Sequence, residues 1–226
     1  ERKNNRIMIF SASQQFTTLL GLLTIVPSGH GAVCFMLEET VIYVDPYSAT
    51  TDYSEYPKAD IIFFTHDHQD HYDVKALEHL VTPQTVFVGP ECMEEHIKLE
   101  KTLRNGDSYT WRGIEIKAVP AYNIINKRQD GNPFHPKGYG NGYIFTFGDF
   151  RVYLAGDTEL IPEMETYGPV DVAILPKNLP YTMSDEQFVQ AVKVLGAPVV
   201  YPVHYFELDK EKLEKAVGDD VKLIYQ

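Results

Sequence analysis

The sequence predicts one domain of the α/β class, and three observations support this prediction. Short apolar runs bounded by polar residues, glycine or proline are typical of strands, and Ile61 to Phe64 is the clearest of them. Other segments, such as Val74 to Val81, carry apolar residues at helical spacing. The 226 residues suffice for one large core, and no linker or internal repeat divides residues 1–226.

Strands predominate in the first part of the chain. The first two are joined at the turn Ser28 to Gly31, and the third ends at Asp45, which precedes a proline. A polar loop follows the fourth strand and opens onto a short helix. In order, we expect strands at 19–26, 32–37, 41–44, 61–64, 85–88 and 114–119, and helices at 74–81 and 91–101.

The second part of the chain predicts a hairpin and three helices. The turn at 148–150 separates two apolar runs and indicates the hairpin. Ser184 is a predicted helix N-cap, because Gln187 three residues later completes a capping box. The expected strands are 143–147, 151–154, 172–175, 199–203 and 221–225, and the expected helices are 159–166, 184–195 and 209–217.

The loop after the strand at 61–64 is rich in potential metal ligands. Residues 65–71 contain three histidines and two aspartates. Residues two apart in an extended chain point to the same side, so His66 and His68 can share one centre while Asp70 and His71 reach a second. Imidazole nitrogen and carboxylate oxygen are ligands for Zn, Mn and Fe(II). The alternative is a solvated polar loop.

The motif His66-x-His68-x-Asp70-His71 resembles the signature of the metallo-β-lactamase superfamily. This resemblance implies an αββα sandwich, in which two mixed sheets are flanked by helices and metal ions lie at the edge that the sheets share. It also implies hydrolysis by a metal-activated water at a pair of metal ions.

Two later segments are similar to the same family. Gly156 to Thr158 looks like the segment with its metal-bridging aspartate, here Asp157, and Pro202 to Tyr205 looks like the segment with its last metal histidine, here His204. Taken alone, Asp157 is more typical of a helix cap. Each of these residues follows a predicted strand, as His66 does, so we expect them to meet at one edge.

The chain departs from the family where many relatives carry a third histidine for the first metal. It has Asn123 there, and His135 is the best substitute, with a substrate-contacting or structural role as the alternative. The loop around His135 is rich in glycine. Gly138, Gly140 and Gly142 would let backbone amides approach a substrate anion, unless they only form a turn before the next strand.

The resemblance implies the following site. We expect one metal on His66, His68 and His135, the other on Asp70, His71 and His204, and Asp157 on both. Asp70 is the expected catalytic residue, since a carboxylate beside the activated water can orient it or pass a proton to the leaving group. The cofactors are then two divalent metal ions, with zinc expected and manganese or iron as alternatives.

Five further residues are candidates for the surroundings of the site. We expect His30 to be a turn residue or a hydrogen-bond partner of a ligand, with metal binding as the alternative. Asp45 is expected to shape its turn, with a place beside the site as the alternative. Lys177, Asn178 and Tyr181 are predicted to bind substrate, in a segment that resembles one branch of the superfamily. The alternative for Lys177 is a solvated side chain.

The composition excludes several classes of partner. A formal charge of −12 disfavours nucleic acid, which requires a basic surface. The two cysteines, Cys34 and Cys92, form neither a disulfide framework nor a metal finger. No apolar run reaches the length of a membrane span. The first residue is Glu1 rather than Met, which indicates a processed or trimmed product. A cytoplasmic location is favoured, and secretion is the alternative because the original N-terminus is not seen.

We therefore expect a metal-dependent hydrolase that acts on a small ester, lactone or phosphodiester. The resemblance is to a branch that includes an ascorbate-phosphate lactonase and, more distantly, N-acyl-phosphatidylethanolamine phospholipase D. The alternative is a non-catalytic metal-binding or ligand-binding module of the same fold. The expected partner is a small-molecule substrate, and a homo-oligomer is compatible with the sequence.

Overall fold

The computed structural model describes residues 12–226, which form two mixed sheets of seven strands each. Residues 1–11 of the expected domain lie outside the described residues. The first sheet contains β1 (Gln14–Thr18), β2 (Gly21–Pro27), β3 (Val33–Leu37), β4 (Thr40–Val44), β5 (Ile61–Phe63), β6 (Val86–Gly89) and β7 (Lys101–Thr102). The second contains β8 (Ser108–Trp111), β9 (Ile114–Ala121), β10 (Gly140–Phe147), β11 (Phe150–Leu154), β12 (Val172–Pro176), β13 (Val199–Val203) and β14 (Lys222–Leu223). The helices are α1 (Val74–Leu80), α2 (Asp185–Leu195) and α3 (Lys210–Val217).

The two sheets have the same order of connections. In the first, β1 to β4 are antiparallel and β5, β6 and β7 are added in parallel beside β4. In the second, β8 to β11 are antiparallel and β12, β13 and β14 are added in parallel beside β11. The ends of parallel strands meet at one edge of a sheet. The loops that follow β4, β5, β11 and β13 are therefore brought together.

Alternating side chains divide the core into three apolar layers. Ile61 and Phe63 on β5 face the second sheet, whereas Ile62 and Phe64 face α1 on the outside. Strand β12 alternates in the same way, and its outward Leu175 packs in the layer that contains α2 and α3. A helix layer thus covers each outer face, and the expected αββα sandwich is confirmed.

Most expected elements are present within a few residues of their predicted bounds, and the capping box at Ser184 and Gln187 is confirmed. Two expected helices are wrong. Residues 91–101 form only a 3₁₀ turn, Glu91–Met93, before β7. Residues 159–166 form only the 3₁₀ turn Pro162–Thr166. Proline fits only in the first turn of a helix, so Pro162 disfavours a helix that begins at residue 159.

Strands β1, β7 and β8 were not expected from the sequence. All three are short and largely polar, which suits strands at the edge of a sheet. They therefore lack the apolar run from which a strand is predicted. Over residues 12–226, no helix is long and apolar enough to cross a membrane.

Candidate metal centre

Histidine and aspartate side chains from both sheets meet at the shared edge. The loop after β5 supplies four of them, and the loops after β11 and β13 supply Asp157 and His204. His135 comes from the long connection between β9 and β10. Two main groups of potential metal ligands have donor atoms within 4.8 Å of one another: His66, His68 and His135 in the first, and His30, Asp70, His71 and His204 in the second. A third group, Asp45, His66 and His71, takes one histidine from each of them.

Asp157 lies between the two groups. Its Oδ2 atom is 3.2 Å from Nε2 of His135 and 3.9 Å from Nε2 of His66, which both belong to the first group. The same carboxylate lies 3.3 Å from Nε2 of His71 and 3.2 Å from Nε2 of His204, in the second group. One carboxylate therefore contacts both sets of imidazoles, which is the placement that a residue shared by two cations requires.

The outer nitrogens of two histidines are fixed by the protein. Asp45 accepts a hydrogen bond from Nδ1 of His71 at 2.7 Å and another from the backbone amide of Thr65 at 2.8 Å. The Thr65 hydroxyl lies 2.9 Å from Nδ1 of His66. These contacts turn both Nε2 atoms toward the centre of the site. Asp45 thus lies beside the site, the alternative that the sequence left open.

Three buried imidazole nitrogens lie at the centre of the site. Nε2 of His66, His71 and His204 is buried and makes no hydrogen bond among the described residues; its polar contacts are the carboxylates of Asp157 and Asp70, at 3.2 to 3.9 Å. Orphaned polar atoms in an interior are costly, and all three converge beside the Asp157 carboxylate. A divalent cation in each group would give these nitrogens a partner. The residues present therefore fit a metal centre.

The charges of the site also fit cations. Burial opposes protonation of His204, but the carboxylates of Asp157 and Asp70 outweigh it and raise its pKa to about 9. Burial opposes the charge on His71 too, yet Asp157 and Asp45 hold its pKa well above the usual range. Burial and the nearby His71 hold the pKa of His66 well below the usual range. Bound cations would replace the protons on His71 and His204.

Asn123 holds His135 in position. Its Oδ1 atom accepts hydrogen bonds from the backbone amide and from Nδ1 of His135, both at 2.8 Å. This leaves Nε2 of His135 directed at Asp157. Asn123 Nδ2 in turn donates to Glu159 at 3.1 Å and to the carbonyl oxygen of Tyr181 at 2.8 Å. Asparagine at this position thus orients an imidazole that the loop brings from twelve residues away.

Glu159 anchors the start of the same loop. The residue is fully buried, and its carboxylate accepts hydrogen bonds from the backbone amides of Ile124, Ile125 and Asn126 at 2.7 to 3.2 Å. Burial opposes ionisation, but these bonds lower the pKa of Glu159. The carboxylate therefore stays charged and fixes the loop that carries His135.

Asp70 is held at the border between the ligands and the solvent. Its Oδ2 atom accepts a hydrogen bond from Nε2 of His30 at 2.8 Å and lies 3.3 Å from Nε2 of His204. Burial opposes ionisation of Asp70, but the nearby imidazoles of His204 and His30 lower its pKa. His30 adopts a left-handed conformation with φ of 52°. Its backbone carbonyl oxygen accepts a hydrogen bond from the backbone amide of His204 at 2.9 Å.

A cavity of about 290 Å³ opens beside the site. Of the three residues expected to bind substrate, Asn178 and Tyr181 line it. The structure does not bring Lys177 there, because its ammonium group pairs with Asp185 at 2.7 Å. The complete lining is His30, His68, Asp70, Arg128, Phe134, His135, Asp157, Asn178, Tyr181, His204 and Phe206.

The glycines near His135 do not form an anion-binding loop. Gly140 and Gly142 lie inside β10, paired with Ala121 and Val119. A Cβ atom on Gly140 would stand 2.9 Å from the carbonyl oxygen of Thr65, so glycine is required there for close packing against the ligand loop. The expected approach of these amides to an anion is wrong for both residues.

Sequence reasoning missed several residues around the site. Thr65 directly precedes the ligand motif, and Glu159 follows Asp157 by two positions, so proximity to the motifs was a signal for both. Arg128, Phe134 and Phe206 line the cavity from loops, and no periodicity in the sequence marks them.

A family model described as the Beta-lactamase superfamily domain matches residues 25–204 of the chain. The chain belongs to this superfamily. A UPF0173 metal-dependent hydrolase of Methanoculleus marisnigri is 31% identical over 196 residues, which are 82% of this chain and 84% of that protein. One from Pyrococcus horikoshii is 29% identical over 87% of this chain and 92% of its own length.

Solved structures agree with this membership. A crystal structure from Parabacteroides distasonis, described as that of a metal-dependent hydrolase, is similar with a TM-score of 0.88 and 38% identity, and it covers 95% of this chain and 97% of that chain. Igni18, a metallo hydrolase of Ignicoccus hospitalis, shares the fold with a TM-score of 0.74 at 24% identity, over 90% of this chain and 94% of that one.

Proposed function

We propose that this superfamily member is a hydrolase with two divalent cations, and that it cleaves a small ester, lactone or phosphodiester. The observation that carries the proposal is the position of Asp157 between two groups of imidazoles, of which His66, His71 and His204 have a buried Nε2 atom that makes no hydrogen bond among the described residues. The relatives named metal-dependent hydrolases support the same activity.

The two groups assign the ligands. His66, His68 and His135 would hold one cation, and Asp70, His71 and His204 would hold the other. Asp157 would contribute to both. Donor sets with five imidazoles favour zinc, with manganese or iron as alternatives. A pair of such cations supplies a water of lowered pKa and polarises the oxygen of the group that is attacked.

Asp70 is the residue that we assign to proton transfer. Its Oδ2 atom is engaged by His30, whereas its Oδ1 atom accepts no hydrogen bond within residues 12–226. The lowered pKa keeps the carboxylate ionised at neutral pH and makes it a weak base, so Oδ1 can orient the attacking water and relay a proton from it to the leaving group without retaining that proton. His30 holds the carboxylate in place during both steps.

The cavity limits the substrate to a small molecule. About 290 Å³ lies at the lower end of the range for ligand pockets. Asn178 and several of the proposed metal ligands contribute polar groups to its lining, and the aromatic rings of Tyr181 and Phe134 form part of its wall. A compact ester or lactone with one apolar face suits such a lining.

The test combines metal content with turnover. The protein is loaded with zinc or manganese, its metal is counted by elemental mass spectrometry, and 4-nitrophenyl acetate, a simple lactone and bis-4-nitrophenyl phosphate are offered as substrates. We expect about two equivalents of metal per chain and turnover of at least one of these compounds. The variant Asp157→Ala should lose metal and at least about 100-fold in rate, because a shared ligand is removed.

The variant His79→Ala is the matched control, since His79 is an exposed histidine on α1 outside both ligand groups. It should keep the metal content and the rate of the wild type. Full metal content and full rate in Asp157→Ala would overturn the arrangement. Two equivalents of metal without turnover of any substrate class would favour a metal-binding module instead.

A further inference from the structure

Arg128 is the one permanently positive side chain among the described residues that line the cavity. The carboxylates of Asp70 and Asp157 line the same cavity, and the whole chain has a formal charge of −12. Acidic surroundings repel an anionic ligand unless an opposite charge is placed at the entrance. The positive charge of Arg128 therefore affects which ligands the cavity can accept.

A small hairpin holds Arg128 in this place. The backbone amide of Arg128 donates to the carbonyl oxygen of Asn132 at 2.7 Å, and Gly131 donates back to Arg128 at 3.0 Å. Lys127 and Pro133 form an antiparallel bridge just below. Asp130 accepts from the backbone amide of Asn132 at 3.0 Å and closes the turn. The hairpin leads directly to His135, so Arg128 and a metal ligand are carried by the same connection.

The guanidinium group is stacked but not neutralised. It lies 5.1 Å from the centroid of the Phe134 ring, and its Nη2 atom donates to the carbonyl oxygen of Phe134 at 3.4 Å. Arg104 and Arg112 each pair with a carboxylate, at 2.9 and 3.0 Å, whereas Arg128 forms no ion pair within the part of the chain that the structure describes. Its remaining N–H groups are free to bind a ligand.

An aromatic wall adjoins the guanidinium group. The ring of Phe134 contacts that of Tyr181 edge-on, with 4.9 Å between their centroids, and both rings line the cavity. The two rings, Arg128 and several of the metal ligands line the same cavity, so a ligand bound there can contact all of them. The wall is suited to an apolar stem, and the arginine to a charged end.

We propose that Arg128 binds a negatively charged group on the part of the substrate that is not attacked. This inference rests on the proposed hydrolase function and narrows its substrate class to esters or lactones that carry a carboxylate or a phosphate. Arginine binds both anions through paired hydrogen bonds, so the two share one recognition chemistry. The guanidinium group then fixes the far end of the substrate while the reacting group lies at Asp70 and Asp157.

Equilibrium binding tests the proposal without any turnover. Metal-loaded protein is titrated calorimetrically with dicarboxylates from succinate to adipate and with the matching monocarboxylates. One carboxylate is bound at the metal centre in both series, and only the dicarboxylates offer a second. We expect the best dicarboxylate to bind at least about tenfold more tightly than its monocarboxylate, from charge-assisted hydrogen bonds. Phosphonocarboxylates of the same lengths show which anion is preferred.

Three variants complete the test. Arg128→Gln should abolish the preference for the second charge, and Arg128→Lys should restore part of it. Lys127→Gln removes the same charge from the neighbouring exposed residue, which does not line the cavity, and should keep the full preference. An unchanged preference in Arg128→Gln, or no preference at any length in the wild type, would overturn the proposal.

The outcome is separable from that of the proposed function. If no ester, lactone or phosphodiester is turned over but Arg128→Gln still removes the preference, the anion site stands and the hydrolase proposal fails. If turnover is found but the preference for the second charge is absent, the hydrolase proposal stands and the anion site is refuted.

Discussion

Replacing Asn123 by alanine tests how His135 is held at the candidate metal centre. The side chain is buried and forms four hydrogen bonds: two from His135 to Oδ1, at 2.8 Å each, and two from Nδ2 to Glu159 and to the carbonyl oxygen of Tyr181. A typical net contribution is about 1 kcal/mol per bond. The two bonds to His135 thus account for about 2 kcal/mol of its positioning.

This free energy converts to a metal affinity. A difference of about 2 kcal/mol corresponds to roughly 30-fold weaker binding of the cation that we assign to His66, His68 and His135. The other proposed cation should be affected much less. None of the four hydrogen bonds of Asn123 involves Asp70, His71 or His204. We therefore expect Asn123→Ala to weaken one of the two equivalents selectively.

A competition titration against a chelating indicator measures both affinities, with circular dichroism to verify that the variant is folded. Asn126→Ala is the matched control, since this residue lies on the same loop and its side chain contacts Thr182 rather than His135. A folded Asn123→Ala protein that binds both equivalents as tightly as the wild type would refute the reasoning. An equal loss in Asn126→Ala would attribute the effect to the loop as a whole.

Four further outcomes are expected. His135→Ala should keep one equivalent of metal, counted by elemental mass spectrometry; retention of two would remove this residue from the ligands. Asp45→Asn should weaken metal binding about 10- to 100-fold in the same indicator titration, because His71 loses its anionic acceptor. Removing metal with a chelator should lower the thermal midpoint of unfolding, and adding zinc back should restore it. Phe188→Ala, in the fully buried face of α2, should cost about 3 to 5 kcal/mol of unfolding free energy in urea without changing metal stoichiometry.

The central strands and the ligand motif could be predicted because their signals are local. An apolar run such as Ile61 to Phe64 fills both faces of a buried strand, and the polar loop after it must lie at the sheet edge. The helix expected at 91–101 failed for the opposite reason. Its apolar residues pack on the outer face of the first sheet from an irregular segment, so they do not need helical geometry.

The surroundings of the ligands could not be predicted, because they depend on contacts between distant segments. Glu159 binds the loop at Asn123 across 36 residues, and nothing near Glu159 in the sequence indicates its partners. The role of Asn123 itself became visible only when the structure placed His135 against it. The sequence shows Asn123 as a departure from the expected motif, but the function of its side chain depends on the tertiary fold.

The aromatic layer between the sheets has a consequence for the metal centre. Each ligand group combines residues that follow strands of the first sheet, such as His71, with residues carried by the second, such as His204. Phe63 and Phe145 pack across the interface with 5.1 Å between their ring centroids, and their bulk sets how far apart the sheets lie. A smaller side chain at either position would let the sheets approach or tilt. The affinity of the candidate centre for metal therefore also depends on how well the side chains between the two sheets are packed.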